Sequence, residues 1–128
     1  MKIQILFTIP IPSTELSEDA TLAEDGIGGF VIEYRYTENN VKKSGKICIY
    51  KVAALRKYNE SCSPLLPIQA AYDKLVEVQD SEWCKEIVSK IMSHRRLGSD
   101  YHHYMIYLDS VRSFEFIALS WDVSTENL

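Results

Sequence analysis

Four side chains near the C-terminal end of the chain, His102, His103, Asp109 and Glu115, are of the types that move protons. An imidazole changes charge near neutral pH, and a carboxylate can orient it or take its proton. Their spacing limits what they can do together. His102 and His103 are neighbours in a segment of strand character, so their rings leave opposite faces and cannot chelate one metal jointly. Asp109 falls on the same strand face as His103, but further along it. Glu115 lies beyond a short turn. If the two strands flanking that turn bring His103 and Glu115 face to face, the pair forms a buried dyad. The register that would decide this is not written in the sequence.

His103, Asp109 and Glu115 are therefore the candidate catalytic set for a small hydrolase or metal-dependent enzyme. The bland alternative has Asp109 and Glu115 capping the turn or pairing with Arg112. Adding His94 gives no zinc-ligand spacing, so no metal site is assigned and no cofactor is expected.

Other routes to chemistry are weaker. Gly26-Ile27-Gly28-Gly29 resembles a phosphate loop only in its glycines. It precedes a strand rather than a helix, follows Glu24 and Asp25, and lacks the Gly-Lys-Ser/Thr ending. There is no Gly-x-Ser-x-Gly elbow. Of the three cysteines, Cys48 and Cys84 sit in apolar-periodic segments and read as small core residues. Cys62 lies outside such a pattern, and a Cys62–His94 pair is a remote nucleophile option. An odd cysteine count at wide spacing suits a reduced, cytoplasmic setting rather than a disulfide framework.

Charge and side-chain type point toward binding instead. The net charge of −4 and the scattered basic residues disfavour nucleic acid and anionic membrane. Glu15, Glu18, Asp19, Glu24 and Asp25 form an acidic run with no basic residue among them. Eight tyrosines, Tyr34 and Tyr36 among them, offer large area with a polar tip, as protein interfaces favour. The acids with Tyr34 and Tyr36 are the candidate contact residues.

The elements that must position these groups follow from periodicity. The chain of 128 residues, 46% hydrophobic and 25% charged, fits one globular domain, 1–128. Residues 3–9 read as a first strand ended by Pro10 and Pro12; the run is too short and too interrupted for a signal peptide. Thr14 or Ser17 can cap a short helix through Ala23, with a mobile acidic loop as the alternative. Phe30 to Thr37 alternates with period two, and a turn from Glu38 to Gly45 leads into a return strand, Lys46 to Val52. Ala53 to Tyr58 suggests a helical turn. Pro67 can open a helix to about Val78, with Ile68, Ala71, Tyr72, Leu75 and Val78 at helical spacing. Asp80 or Ser81 caps a second helix carrying Trp83, Ile87 and Ile91, with Gly98 as its C-cap. The final hairpin pairs His102–Asp109 with Phe114–Trp121.

The order β, ββ, αα, ββ predicts an α+β fold, a mainly antiparallel sheet of about five strands packed on two helices. The functional expectation is a non-enzymatic acidic protein-binding domain, in concrete form a cytoplasmic bacterial immunity-type inhibitor of a basic toxin. The alternatives are the small enzyme described above and a structural homodimer joined at a sheet edge.

Overall fold

The computed structural model describes residues 2–59, 69–92, 100–109 and 112–128. Among them seven strands form one sheet: β1 (Lys2–Thr8), β2 (Thr21–Glu24), β3 (Phe30–Glu38), β4 (Val41–Asn59), β5 (Lys74–Gln79), β6 (His102–Leu108) and β7 (Arg112–Asn127). The order across the sheet is β1-β5-β6-β7-β4-β3-β2, and every neighbouring pair is antiparallel. One helix, α1 (Glu82–Met92), joins β5 to β6. The α+β expectation of five strands on two helices is overturned: the protein is predominantly β-sheet with a single described helix.

Three segments account for the difference. Ser13 to Ala23 holds one 3-10 turn, Ser13–Glu15, and then enters strand β2, where a short helix or an acidic loop was expected. Ala53 to Tyr58 has helix-favouring residues, yet it continues β4 and pairs with β7 as far as Tyr58↔Ser113. Tertiary pairing outweighs local propensity there, helped by a bulge between Val52 and Ala54 and by Lys51 at φ 55°. The helix expected to run to Val78 stops early. Gln69 and Ala70 are helical, Asp73 turns the chain at φ 60°, and Lys74 begins β5. Pro67, Ile68, Cys62, His94 and Gly98 lie outside the described residues.

The β3–β4 hairpin is tighter than expected. Asn39 and Asn40, at φ 52° and 64°, make a two-residue turn of the kind that matches strand twist. Ser81 is the N-cap of α1, its Oγ accepting the Cys84 amide at 3.1 Å.

β1 and β2 are the two edges of the sheet, so residues 9–20, which join them, must cross one whole face. A seven-strand sheet is about 29 Å wide, and such a segment can reach at most about 40 Å. It spans the gap as a strap. Ile9, Ile11, Leu16 and Ala20 of the strap pack with Ile32, Tyr34, Ile47, Ile49, Tyr104, Ile106, Phe114 and Phe116 in the main core. The strap is pinned by its backbone and by Ser13: Ile9 N–H donates to Asp73 O, Ser13 N–H to Asp73 Oδ2, Ser17 N–H to Arg35 O, and Asp109 N–H to Ser13 Oγ. The opposite face carries a smaller core of Ala71, Val76, Val78 and Met105, and it is the face on which Trp83 of α1 meets His103.

Candidate functional site

A row of polar side chains crosses that second face. Arg56 on β4 stands directly opposite Glu115 on β7. His103 on β6 pairs in register with Ile117, so its ring reaches Glu115 along the diagonal between strands. Ser81 enters from the β5–α1 junction. The distances are those of a continuous chain: Arg56 Nη2 to Glu115 Oε1 is 2.9 Å, Glu115 Oε1 to His103 Nε2 is 2.7 Å, and His103 Nδ1 to Ser81 Oγ is 2.7 Å. Trp83 covers the row, edge-on to the His103 ring with centroids 5.1 Å apart and 3.8 Å from the Arg56 guanidinium carbon.

Electrostatics fixes the protons. Glu115 is 4% exposed. Burial pushes its carboxyl up, but hydrogen bonds from His103 and Arg56 and the Arg56 charge outweigh it, holding the group below its ordinary value. Glu115 is thus an anion that only accepts. His103 Nε2 must donate to it, so in the neutral imidazole Nδ1 holds the lone pair. Ser81 Oγ–H then donates to Nδ1, while its oxygen accepts from Cys84 N–H. Each of these contacts has one consistent direction.

Of the residues the sequence singled out, His103 and Glu115 meet and Asp109 does not. Asp109 ends β6 at the far end from His103, roughly 20 Å along the strand, where its backbone N–H donates to Ser13 Oγ and its carboxylate bonds the Tyr72 hydroxyl. His102 points to the other face and pairs with Glu77 at 2.8 Å, stacking on Tyr104. Ser81 and Arg56 were not among the expected site residues. The signal for Ser81 was partial: the sequence offered Asp80 or Ser81 as a helix cap, but it put a helix where β5 leads into Ser81. Nothing local marked Arg56, whose role depends on pairing with a strand far along the chain. Among the described residues no three His, Cys, Asp or Glu side chains gather as a metal site. Cys84 is half-buried; burial and the Glu77 charge push its thiol up, which keeps it protonated.

Ser81 and His103 open onto a groove of about 270 Å³ that also contacts Glu77, Cys84, Tyr101 and His102. A second groove of about 580 Å³ runs between α1 and the β2–β3 loop, lined by Gly28, Lys51, Val52, Ile87, Ile91 and Tyr101.

The expected contact residues divide. Glu15, Glu18, Asp19 and Glu24 are exposed, with Glu18 3.5 Å from Arg35. Tyr34 and Tyr36 are core residues, 1% and 3% exposed, and cannot meet a partner. They face inward because β3 is buried on the side the strap covers, and Tyr34 lies on Gly45, where a Cβ would fall on its ring. Asp25 is half-buried and works on its own loop. Its Oδ1 accepts the amides of Ile27 (2.8 Å) and Gly29 (2.9 Å), which holds its carboxyl below the ordinary value. Gly26 and Gly28, at φ 82° and 90°, supply the left-handed turns. The loop is locked again where Val52 N–H donates to Gly28 O at 2.8 Å. At its tip Ile27 is 71% exposed.

No described helix is long and apolar enough to cross a membrane. No family model, curated protein or solved structure matches the chain.

Proposed function

We propose that this chain is a protein-binding domain of inhibitor or immunity type, which inserts the β2–β3 loop into a cleft of its partner. The observation that carries the reading is the construction of that loop. A large apolar side chain is held out in water on a backbone fixed by two Asp25 hydrogen bonds and a strand contact. An ordered loop loses little conformational entropy on docking, which is how a rigid apolar anchor gains affinity. Glu24 beside it and Glu15, Glu18 and Asp19 along the approach to β2 give the surround a negative character. The complementary partner has an apolar pocket with a basic rim, and charge of this sign speeds its arrival.

The test is affinity capture with wild type, Ile27→Arg, and a Glu15→Lys/Glu18→Lys/Asp19→Lys triple variant in parallel. A partner held by wild type should bind Ile27→Arg at least tenfold more weakly, and should associate more slowly with the triple variant. A partner set that is indifferent to both changes overturns the reading.

The homodimer reading has one support of its own. The outer edge of β1 pairs with no described strand and carries Ile5, 57% exposed. Sedimentation of wild type and Ile5→Lys decides it: a dimer that Ile5→Lys dissociates supports edge pairing, and a monomeric wild type removes it.

A further inference from the structure

The row on the helix side of the sheet does not serve the docking loop, and its geometry points to an activity. We infer that Ser81 is the nucleophile of a hydrolytic site for small carboxylic esters, with His103 as its general base and Glu115 as the anion that orients the imidazole. The proposal needs no protein partner and stands or falls apart from the docking reading.

Three independent observations support it. The first is the chain of hydrogen bonds. Ser81 Oγ lies 2.7 Å from His103 Nδ1, and His103 Nε2 lies 2.7 Å from Glu115 Oε1, which places a base on the hydroxyl and an anion behind the base. The roles of the two ring nitrogens are exchanged relative to the chymotrypsin arrangement, but the proton path is chemically equivalent. The second is accessibility. His103 and Glu115 are buried, whereas Ser81 is half-buried and opens, with His103, onto the groove of about 270 Å³. The depth of each member fits its part. The third is the backbone. Ser81 sits on a sharp strand-to-helix turn, directly after Asp80 at φ 55°, a conformation that costs energy for a residue with a Cβ. That turn projects the hydroxyl beyond the end of β5. It also leaves the first amides of α1, at Glu82 and Trp83, with no acceptor inside the helix.

The reaction balances without a co-reactant other than water. Ser81 Oγ attacks the ester carbonyl carbon as its proton passes to His103 Nδ1, and the imidazolium is stabilised by Glu115. The carbonyl oxygen becomes an oxyanion beside the α1 amides. Collapse breaks the bond to the alkoxide, which leaves as the alcohol with the proton from Nδ1. Water then attacks the acyl-serine, giving its proton to Nδ1. The carboxylic acid departs as Ser81 recovers that proton. The groove is too small for a folded polypeptide and fits a short acyl chain against Tyr101 and Cys84. A purely structural network would explain the hydrogen bonds, but it predicts no reactivity at Ser81.

The experiment uses the full chain, a fluorophosphonate probe and p-nitrophenyl butyrate. Wild type should gain one phosphonyl group, mapped by mass spectrometry to Ser81, and should release p-nitrophenol. Ser81→Ala loses both but also loses the helix cap, so Ser81→Asn is made beside it, since asparagine caps as well without offering a hydroxyl nucleophile. With circular dichroism unchanged, Ser81→Asn should show no labelling, and His103→Gln should label at least about 100-fold more slowly. Wild type that is folded yet unlabelled at Ser81 overturns the proposal. So does hydrolysis that persists in Ser81→Asn, or labelling in His103→Gln at the wild-type rate.

Discussion

β6 and β7 present two very different faces from the same few residues. Toward the strap they place Tyr104, Ile106, Leu108, Phe114, Phe116 and Ala118, all buried and all in one apolar cluster. Toward α1 they place Met105 and Ile117 together with His103 and Glu115, buried to nearly the same degree. The first face is held by area removed from water, and any residue there has many equivalent neighbours. The second is held by a chain of directed contacts in which each member has a specific partner, and removing one leaves another unsatisfied. The inner face should fail by cavity formation. The outer face should fail by stranded polarity and respond to pH.

The largest effect belongs to the inner face. Phe116→Ala should lower stability by about 3–5 kcal/mol in urea unfolding, because its 0% exposed ring leaves a void that the sheet and strap cannot close. A loss below that range would mean the strap collapses into the space. Glu115→Ala tests the outer face, and about 3 kcal/mol is expected, at the lower end for a broken buried pair. Arg56 is the reason for the lower end: its side chain is 38% exposed and can turn toward water. Gly45→Ala should cost about 1–3 kcal/mol by displacing the Tyr34 ring from its seat.

A smaller effect separates the faces by titration. The folded carboxyl of Glu115 lies below its ordinary value of 4.5. Its contribution is therefore complete above that value and lost as pH falls through the lowered one. Glu115→Gln should flatten the acid limb of stability against pH, whereas Phe116→Ala should shift the whole curve and keep its slope. Equal slopes in wild type and Glu115→Gln would show that the row carries no net electrostatic stabilisation. Least of all, Lys85→Ala on the exposed side of α1 should leave the melting temperature unchanged, since its contact with Glu82 is solvated.

What could be read beforehand follows the range over which each signal acts. The period-two run of β3 and the three- and four-residue spacing of α1 are local, and both elements stand where periodicity puts them. The stretch from Ala71 to Val78 misleads for a definite reason. Leu75 faces the main core and Val76 and Val78 face the other, so β5 is buried on both sides and its apolar residues are nearly continuous. A doubly buried strand shows no alternation and can match helical spacing by chance. Ala53 to Tyr58 misleads through composition, because the pairing with β7 that overrides it involves residues far along the chain.

The candidate site divides in the same way. The amino-acid sequence alone put a helix cap at Asp80 or Ser81 and sent His102 and His103 to opposite faces. These depend on neighbours within a few residues. Only the tertiary structure decided that β6 and β7 meet in the register that sets Glu115 diagonally beneath His103, and that Arg56 lies opposite Glu115. Register is a long-range property, and sliding a strand by one residue exchanges its faces at little cost to local pattern. His103 and Glu115 were legible as groups that could do chemistry, whereas Ser81 and Arg56 were not; their meeting was a matter of how the strands line up.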